Sequence, residues 1–376
     1  MANAVYIHIP FCMNRCFYCD FHTYVTREPQ VVWNYLQALE KEIGKHSAGE
    51  IHTIYVGGGT PTFLDVKQMD YLLSIIEKAF PKRGKELEFT MEANPGTIDQ
   101  EKLRLMKQGG VNRLSYGVQS FHDGLLKKIG RNHSRNQSYL AIEEARKAGI
   151  ENISIDLMFG LPDQTMEMLE ESLREAFQLK IPHLSVYSLK VEENTVFSKW
   201  ERKGTLSLPD EDTEFMMFKQ IIARAEEEGF HWYEISNFAR NGYESKHNQV
   251  YWENREYYGF GAGAHGYLDG VRYANIGSTM KYIKEMKDKN SAIEQSQRVS
   301  IMEQMEEFMM LGLRMLRGVS PREFHERYGK ELKDTFGSPI DEFVTKGLLE
   351  WKDESLRLTR NGVFLGNNVF AGFLSD

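Results

Sequence analysis

Cys12, Cys16 and Cys19 are the only cysteines in the chain, and they fall within eight residues in the spacing C-x3-C-x2-C. An odd number of thiols excludes a fully paired disulfide framework. Thiols this close point to a shared ligand rather than to three buried small hydrophobes. Zinc is one choice, since His8 or His22 stands near enough in sequence to supply the fourth ligand that a structural zinc site normally has. A four-iron cluster is the other; it normally takes four thiolates, so three leave one iron open to a molecule that binds through nitrogen and oxygen.

Further along, Gly57, Gly58 and Gly59 precede Thr60-Pro61-Thr62, and three side chains removed together let a ligand approach the backbone. Glu92 ends a buried-looking run and Asp156 is a charge within the apolar run ISIDLMF, and an unpaired anion is costly to bury in either place. A ligand's ammonium group or ribose hydroxyls would offset that cost. Arg131 offers a fixed guanidinium for a carboxylate, and Gln119 can both donate and accept hydrogen bonds.

These residues need elements to hold them. Strand-length apolar runs recur at 5–9, 51–57, 87–93, 113–119, 153–159 and 183–189, with helical periodicity between them at 30–45, 66–79, 99–108, 137–148 and 165–179. Such alternation predicts an α/β fold with a parallel sheet and right-handed crossovers. Periodicity leaves open whether the sheet is a closed barrel, a partial barrel or doubly wound. In either barrel, chemistry gathers beyond the C-terminal ends of the strands, which is where the cysteines, the glycine run, Glu92 with Asn94, Gln119, and Tyr187 to Lys190 fall. A helix is expected over 210–228 and an edge strand at 231–236. Residues 285–299 have the composition of a boundary. An apolar stripe follows at 301–316, its methionines read as core filler. Then come a short helix from Pro321, another at 340–348, and a hairpin at 349–358, which together suggest a winged-helix-like domain. The expected division is 1–230, 231–290 and 291–376.

Composition bounds the function. Hydrophobic residues are 41% of the chain and charged residues 27%, the profile of a folded protein. The net charge of −8 disfavours general binding to nucleic acid. No apolar run is long enough for an integral membrane anchor, and no secretory signal is present, so a cytoplasmic protein is expected.

The C-x3-C-x2-C motif followed by the glycine run resembles the radical SAM superfamily. That resemblance implies a partial (βα)6 barrel, a [4Fe-4S] cluster on Cys12, Cys16 and Cys19, and S-adenosylmethionine (SAM) held by Tyr6, Tyr18, Gly58, Gly59, Thr60, Glu92, Gln119, Arg131 and Asp156. Residues 6–12 (YIHIPFC), 91–95 (MEANP), 117–121 (GVQSF), 155–162 (IDLMFGLP) and 308–319 narrow it to the family of oxygen-independent coproporphyrinogen oxidase and its relatives. The oxidase has a further cysteine where this chain has Phe21, and an extension before the cysteine motif. His247-Asn248-Gln249-Val250-Tyr251-Trp252 instead fits the H-N-x-x-Y-W motif of HemW-type heme chaperones. This branch implies heme contact by His247, Asn248, Tyr251 and Trp252, since imidazole is a good axial ligand and aromatic faces suit a porphyrin. His265 competes for the iron. The expected function is heme delivery to a protein such as a respiratory enzyme, with porphyrinogen oxidation as the alternative. The sequence does not specify whether SAM is cleaved, so an enzymatic role stays open.

Overall fold

The computed structural model describes residues 2–46 and 48–375. The six expected runs form β1 (Ala4–Ile9), β2 (Ile51–Gly58), β3 (Arg83–Ala93), β4 (Arg113–Gln119), β5 (Asn152–Phe159) and β6 (His183–Ser188). They pair side by side and parallel. Between them run α1 (Pro29–Ile43), α2 (Val66–Ala79), α3 (Gln100–Gln108), α4 (Asp123–Lys128), α5 (Arg135–Lys147) and α6 (Met166–Gln178). Helices α2 and α5 start at capping boxes, Asp65 with Gln68 and Ser134 with Gln137, which satisfy first-turn N–H groups that have no partner inside the helix.

Register explains how this sheet makes a site. Paired residues share a face, and one row across β2–β5 reads Val56, Met91, Leu114, Ile153, all buried. The row on the other face reads Glu92, Ser115, Ser154, His183. The apolar face joins the main hydrophobic core with the crossover helices, through residues such as Leu36, Leu72 and Leu103. The polar face lines the barrel lumen, where its side chains contact one another.

After β6 come α7 (Val196–Arg202) and α8 (Glu211–Glu227). The run at 231–236, expected as one strand, is instead a tight hairpin of β7 (His231–Glu234) and β8 (Asn237–Ala239), with β8 antiparallel to β6. The chain then crosses through α9 (Lys246–Trp252) to β9 (Tyr258–Phe260), which pairs parallel with β1 at the opposite edge. The nine strands lie in the order β9-β1-β2-β3-β4-β5-β6-β8-β7. Residues 231–260, expected as a connection between domains, therefore extend both edges of the core sheet.

A second sheet contains β10 (His265–Leu268), β11 (Val271–Asn275) and β12 (Ile293–Arg298), with α10 (Thr279–Asp288) between the last two. The stretch read as a boundary thus holds the end of α10 and a paired strand; every residue of that strand is exposed, so its composition resembles a linker. The C-terminal part has α11 (Ile301–Gly312), α12 (Pro321–Tyr328), α13 (Leu332–Thr345), a hairpin of β13 (Leu349–Lys352) and β14 (Ser355–Leu358), and short α14 (Arg360–Phe364) and α15 (Gly366–Ala371). Among the described residues no helix is long and apolar enough to cross a membrane.

Candidate functional site

The loop after β1 carries Cys12, Cys16 and Cys19 as free, half-buried thiols. They share one cavity of about 330 Å³ with Tyr18, Gly58, Gly59, Thr60, Glu92, Gln119, Arg131 and Asp156. Of the residues expected to hold SAM, only Tyr6 lies outside the lining. It sits on the lumen face of β1, its hydroxyl 2.9 Å from His8 Nδ1 and its ring stacked on Tyr55.

The glycine run is required by the protein itself. A Cβ on Gly57 would come within 2.8 Å of the Glu92 carboxylate, and one on Gly58, at φ +110°, would strike the His8 ring at 2.5 Å. A Cβ on Gly59 would meet the backbone of Pro10 and Phe11 at 2.8 Å. The missing side chains let β2 close onto Glu92, His8 and the cysteine loop together, while Gly58 and Gly59 stay half-buried at the cavity.

Glu92 closes β3 with its Oε1 accepting from Tyr55 Oη at 2.7 Å and its Oε2 from Gly58 N at 3.0 Å. Burial, reinforced by the Asp156 charge, pushes its carboxyl up to about 7. Asp156 is raised likewise, chiefly by burial, with Ser115 Oγ donating to it at 3.1 Å. Two carboxylates held this way favour a cationic or hydroxyl-bearing ligand between them. Arg131 donates to Asn94 Oδ1 at 2.6 Å and to the Gly117 carbonyl, and its Nη1 lies 3.6 Å from Cys16 Sγ. Its buried Nε has no partner, an orphan donor suited to a ligand carboxylate. Gln119 takes φ +67° at the end of β4, a strained setting for a residue with a Cβ. Burial pushes the Cys19 thiol up to about 11 and Cys12 in the same direction. Thiolates here need a bound cation, so the donor set fits a metal cluster, while Glu92, Arg131 and Asp156 match the charged and hydroxyl groups of an amino-acid nucleoside.

Helix α9 closes the opposite end of the lumen. Glu88, on the same face of β3 as Glu92, accepts from Lys246 N and His247 N, each at 3.0 Å, and so docks the helix N-terminus. His247 is fully buried. Its Nδ1 lies 2.9 Å from Thr53 Oγ1, its Nε2 lies 2.8 Å from Tyr251 Oη, and burial lowers its pKa to about 3. Both ring nitrogens of this neutral imidazole are engaged by hydroxyl groups, so contact of His247 with a heme iron would require one of these two bonds to be given up. Asn248 is half-buried, its N–H directed at the Ser245 hydroxyl, and the Arg314 guanidinium lies 4.5 Å above the Trp252 ring. His265, by contrast, is exposed at the start of β10. Its neighbour is His22, whose ring fills the space that a Cβ on Gly263 or Gly277 would need. Around the cavity mouth Met13 and Phe21 are each 62% exposed.

Sequence reasoning passed over Tyr55, which joins the two ends of the lumen; Asn94, which it placed at the rim, holds Arg131. Thr53, Tyr55 and Gly57 alternate along β2, so their common face was available as a signal.

A parallel barrel with a three-thiol loop and a glycine run at one rim defines a radical SAM protein, and the family model described as the Radical SAM superfamily matches residues 6–176. The HemN C-terminal domain model matches residues 300–365. Within that superfamily, the chain belongs to the family of heme chaperones HemW. It is 46% identical to the heme chaperone HemW of Bacillus subtilis over the whole of both chains. Identity is 42% with the Lactococcus lactis protein of that name, covering 100% of this chain and 98% of the relative, and 32% with that of Escherichia coli, covering 99% and 98%. Among solved structures, coproporphyrinogen III oxidase (HemN) from Escherichia coli has the same fold, with a TM-score of 0.86 at 22% identity over 98% of this chain and 89% of that one.

Proposed function

We propose that the protein is a cytoplasmic carrier that binds heme and passes it to an acceptor such as a respiratory enzyme, on a scaffold holding a [4Fe-4S] cluster and SAM. The observation that carries the cofactor part is the convergence of three free thiols, an orphan guanidinium nitrogen and two raised carboxylates on one cavity. In this reading Cys12, Cys16 and Cys19 hold the cluster. Bound there, the cluster supplies an open iron for chelation and an electron for reductive chemistry. Glu92 takes the ammonium group of SAM, with its Oε1 oriented by Tyr55 and its Oε2 by Gly58 N. Arg131 takes the carboxylate, Gly58, Gly59 and Thr60 offer backbone contacts, and Asp156 and Gln119 face the ribose and base. Tyr18 flanks the cluster, and Tyr6 supports the layer beneath.

Heme is proposed to sit at the rim, where Met13 and Phe21 expose apolar surface and the exposed His265 can present a ring nitrogen. Residues 247–252 shape the lumen floor below it. The test is anaerobic reconstitution followed by two assays on one preparation: heme titration by absorbance, and porphyrinogen turnover with SAM and a reductant. Stoichiometric heme binding without turnover is expected. Efficient protoporphyrinogen formation without stoichiometric heme binding would overturn the proposal.

A further inference from the structure

The motif helix α9 and the candidate SAM cavity occupy opposite ends of the lumen, yet one side chain, Tyr55, touches a residue of each. The Tyr55 ring stacks on His247 with centroids 5.2 Å apart and an interplanar angle of 26°. The hydroxyl of the same tyrosine donates to Glu92 Oε1 at 2.7 Å. Tyr6 flanks Tyr55 from β1 at 6.2 Å, so the phenol is packed on a second side. Below, His247 is fixed between Thr53 Oγ1 and Tyr251 Oη, and Glu88 anchors the first turn of α9. Glu88 and Glu92 project from one face of β3, one holding the helix and the other facing the cavity.

We propose that His247 is a positioning residue for SAM: it acts through the Tyr55 ring to fix the carboxylate of Glu92, and it is not a ligand of heme iron. The inference rests on the assignment of the cavity to SAM. Its physical basis is that a tyrosine ring has two rotatable bonds before its hydroxyl. A flat, neutral, hydrogen-bonded imidazole beneath the ring restricts both. Without that platform the phenol can tilt, and Glu92 loses a donor that favours the charged, ammonium-binding form. A protonated His247 would place a cation under Tyr55 and would have to donate to both the Thr53 and Tyr251 hydroxyls. Its deep burial keeps it neutral across the physiological range, so the platform does not change with pH.

The experiment measures SAM affinity by equilibrium dialysis and heme affinity by absorbance titration, on cluster-loaded protein. The variants are Tyr55→Phe, His247→Ala and the double substitution. Tyr55→Phe removes a single oxygen and keeps the ring, so it tests the link even where His247→Ala folds poorly. Loss of a hydrogen bond to a charged group predicts SAM affinity about 10-fold weaker in each single variant. The double variant is expected to be no weaker than the worse single one, because both act through one bond, and heme affinity should stay at the wild-type value. Unchanged SAM affinity in Tyr55→Phe overturns the proposal, as do additive effects in the double variant. Lost heme binding with intact SAM binding in His247→Ala also overturns it and returns His247 to the heme site. If the wild-type protein itself takes up no SAM, the cavity assignment fails first, which separates that failure from this one.

Discussion

Substituting Glu92 by Gln should stabilise the SAM-free protein while weakening its hold on SAM, because the carboxylate sits in a place that opposes its charge. Its pKa moves from the ordinary 4.5 to about 7, with burial the main cause. The folded protein therefore holds this proton where the unfolded chain has released it. By linkage, the contribution of Glu92 to stability declines as pH rises from about 4.5 to 7 and is fully lost above that. At 1.36 kcal/mol per tenfold, the displacement is worth about 3 kcal/mol. Glutamine escapes this penalty; its amide oxygen can accept from Gly58 N, but its NH2 group then faces Tyr55 Oη, which must turn from donor to acceptor, at a cost of about 1 kcal/mol. The variant should therefore be more stable than wild type by about 2 kcal/mol at pH 8 and slightly less stable at pH 4.5. With unfolding entropy near 2.1 cal/mol/K per residue, 2 kcal/mol raises the melting midpoint by roughly 2–3 °C. SAM affinity should fall about 50-fold through the lost charge-assisted bond. Denaturant unfolding of both proteins from pH 5 to 8, with equilibrium dialysis for SAM, checks both halves. A stability difference that stays flat with pH, or a variant less stable at pH 8, would refute the reasoning.

Three further outcomes are expected. Replacing Cys12, Cys16 and Cys19 together by Ala should abolish iron binding after anaerobic reconstitution, read by iron and sulfide content; a full cluster would count against the thiol assignment. His265→Ala should shift the heme absorption spectrum and weaken the titration while leaving SAM affinity unchanged, and an unaltered spectrum would move attention to the adjacent His22. Glu42 is buried in α1 and accepts from Gly261 N at 2.8 Å, Asn275 Nδ2 at 2.5 Å and Tyr282 Oη at 2.6 Å. Glu42→Ala leaves Gly261 N and Tyr282 Oη without their acceptor and Asn275 Nδ2 with the Gly261 carbonyl alone, so it should cost about 3 kcal/mol in denaturant unfolding with cluster content retained.

The upper end of the site was legible in the sequence because its residues are chemically unusual and local: three cysteines in one loop, three glycines after a strand, a Glu at the end of one strand run and a lone Asp within another. Alternation along the six strands exposed the core sheet for the same reason. What stayed hidden depends on tertiary placement. Tyr258–Phe260 is too short to show alternation and becomes a strand only because the β1 edge is free. Ile293–Arg298 has no buried side at all, so it read as a boundary. The H-N-x-x-Y-W pattern was visible, yet which way His247 faces is set by Glu88 and Thr53, residues far away in sequence.

The segment that supplies β7, β8 and β9 also governs how the protein can be made. The outer side of β6 has no partner until residue 239 has left the ribosome, and that of β1 has none until residue 260 has. A nascent chain of about 230 residues would thus present two bare sheet edges, which invite pairing with other chains. Translation at about 5–20 residues per second makes the exposure of the β1 edge last roughly 1.5–6 s for the 30 residues concerned. The expected consequence is that a fragment ending near residue 230 aggregates, whereas one extended past Phe260 stays soluble.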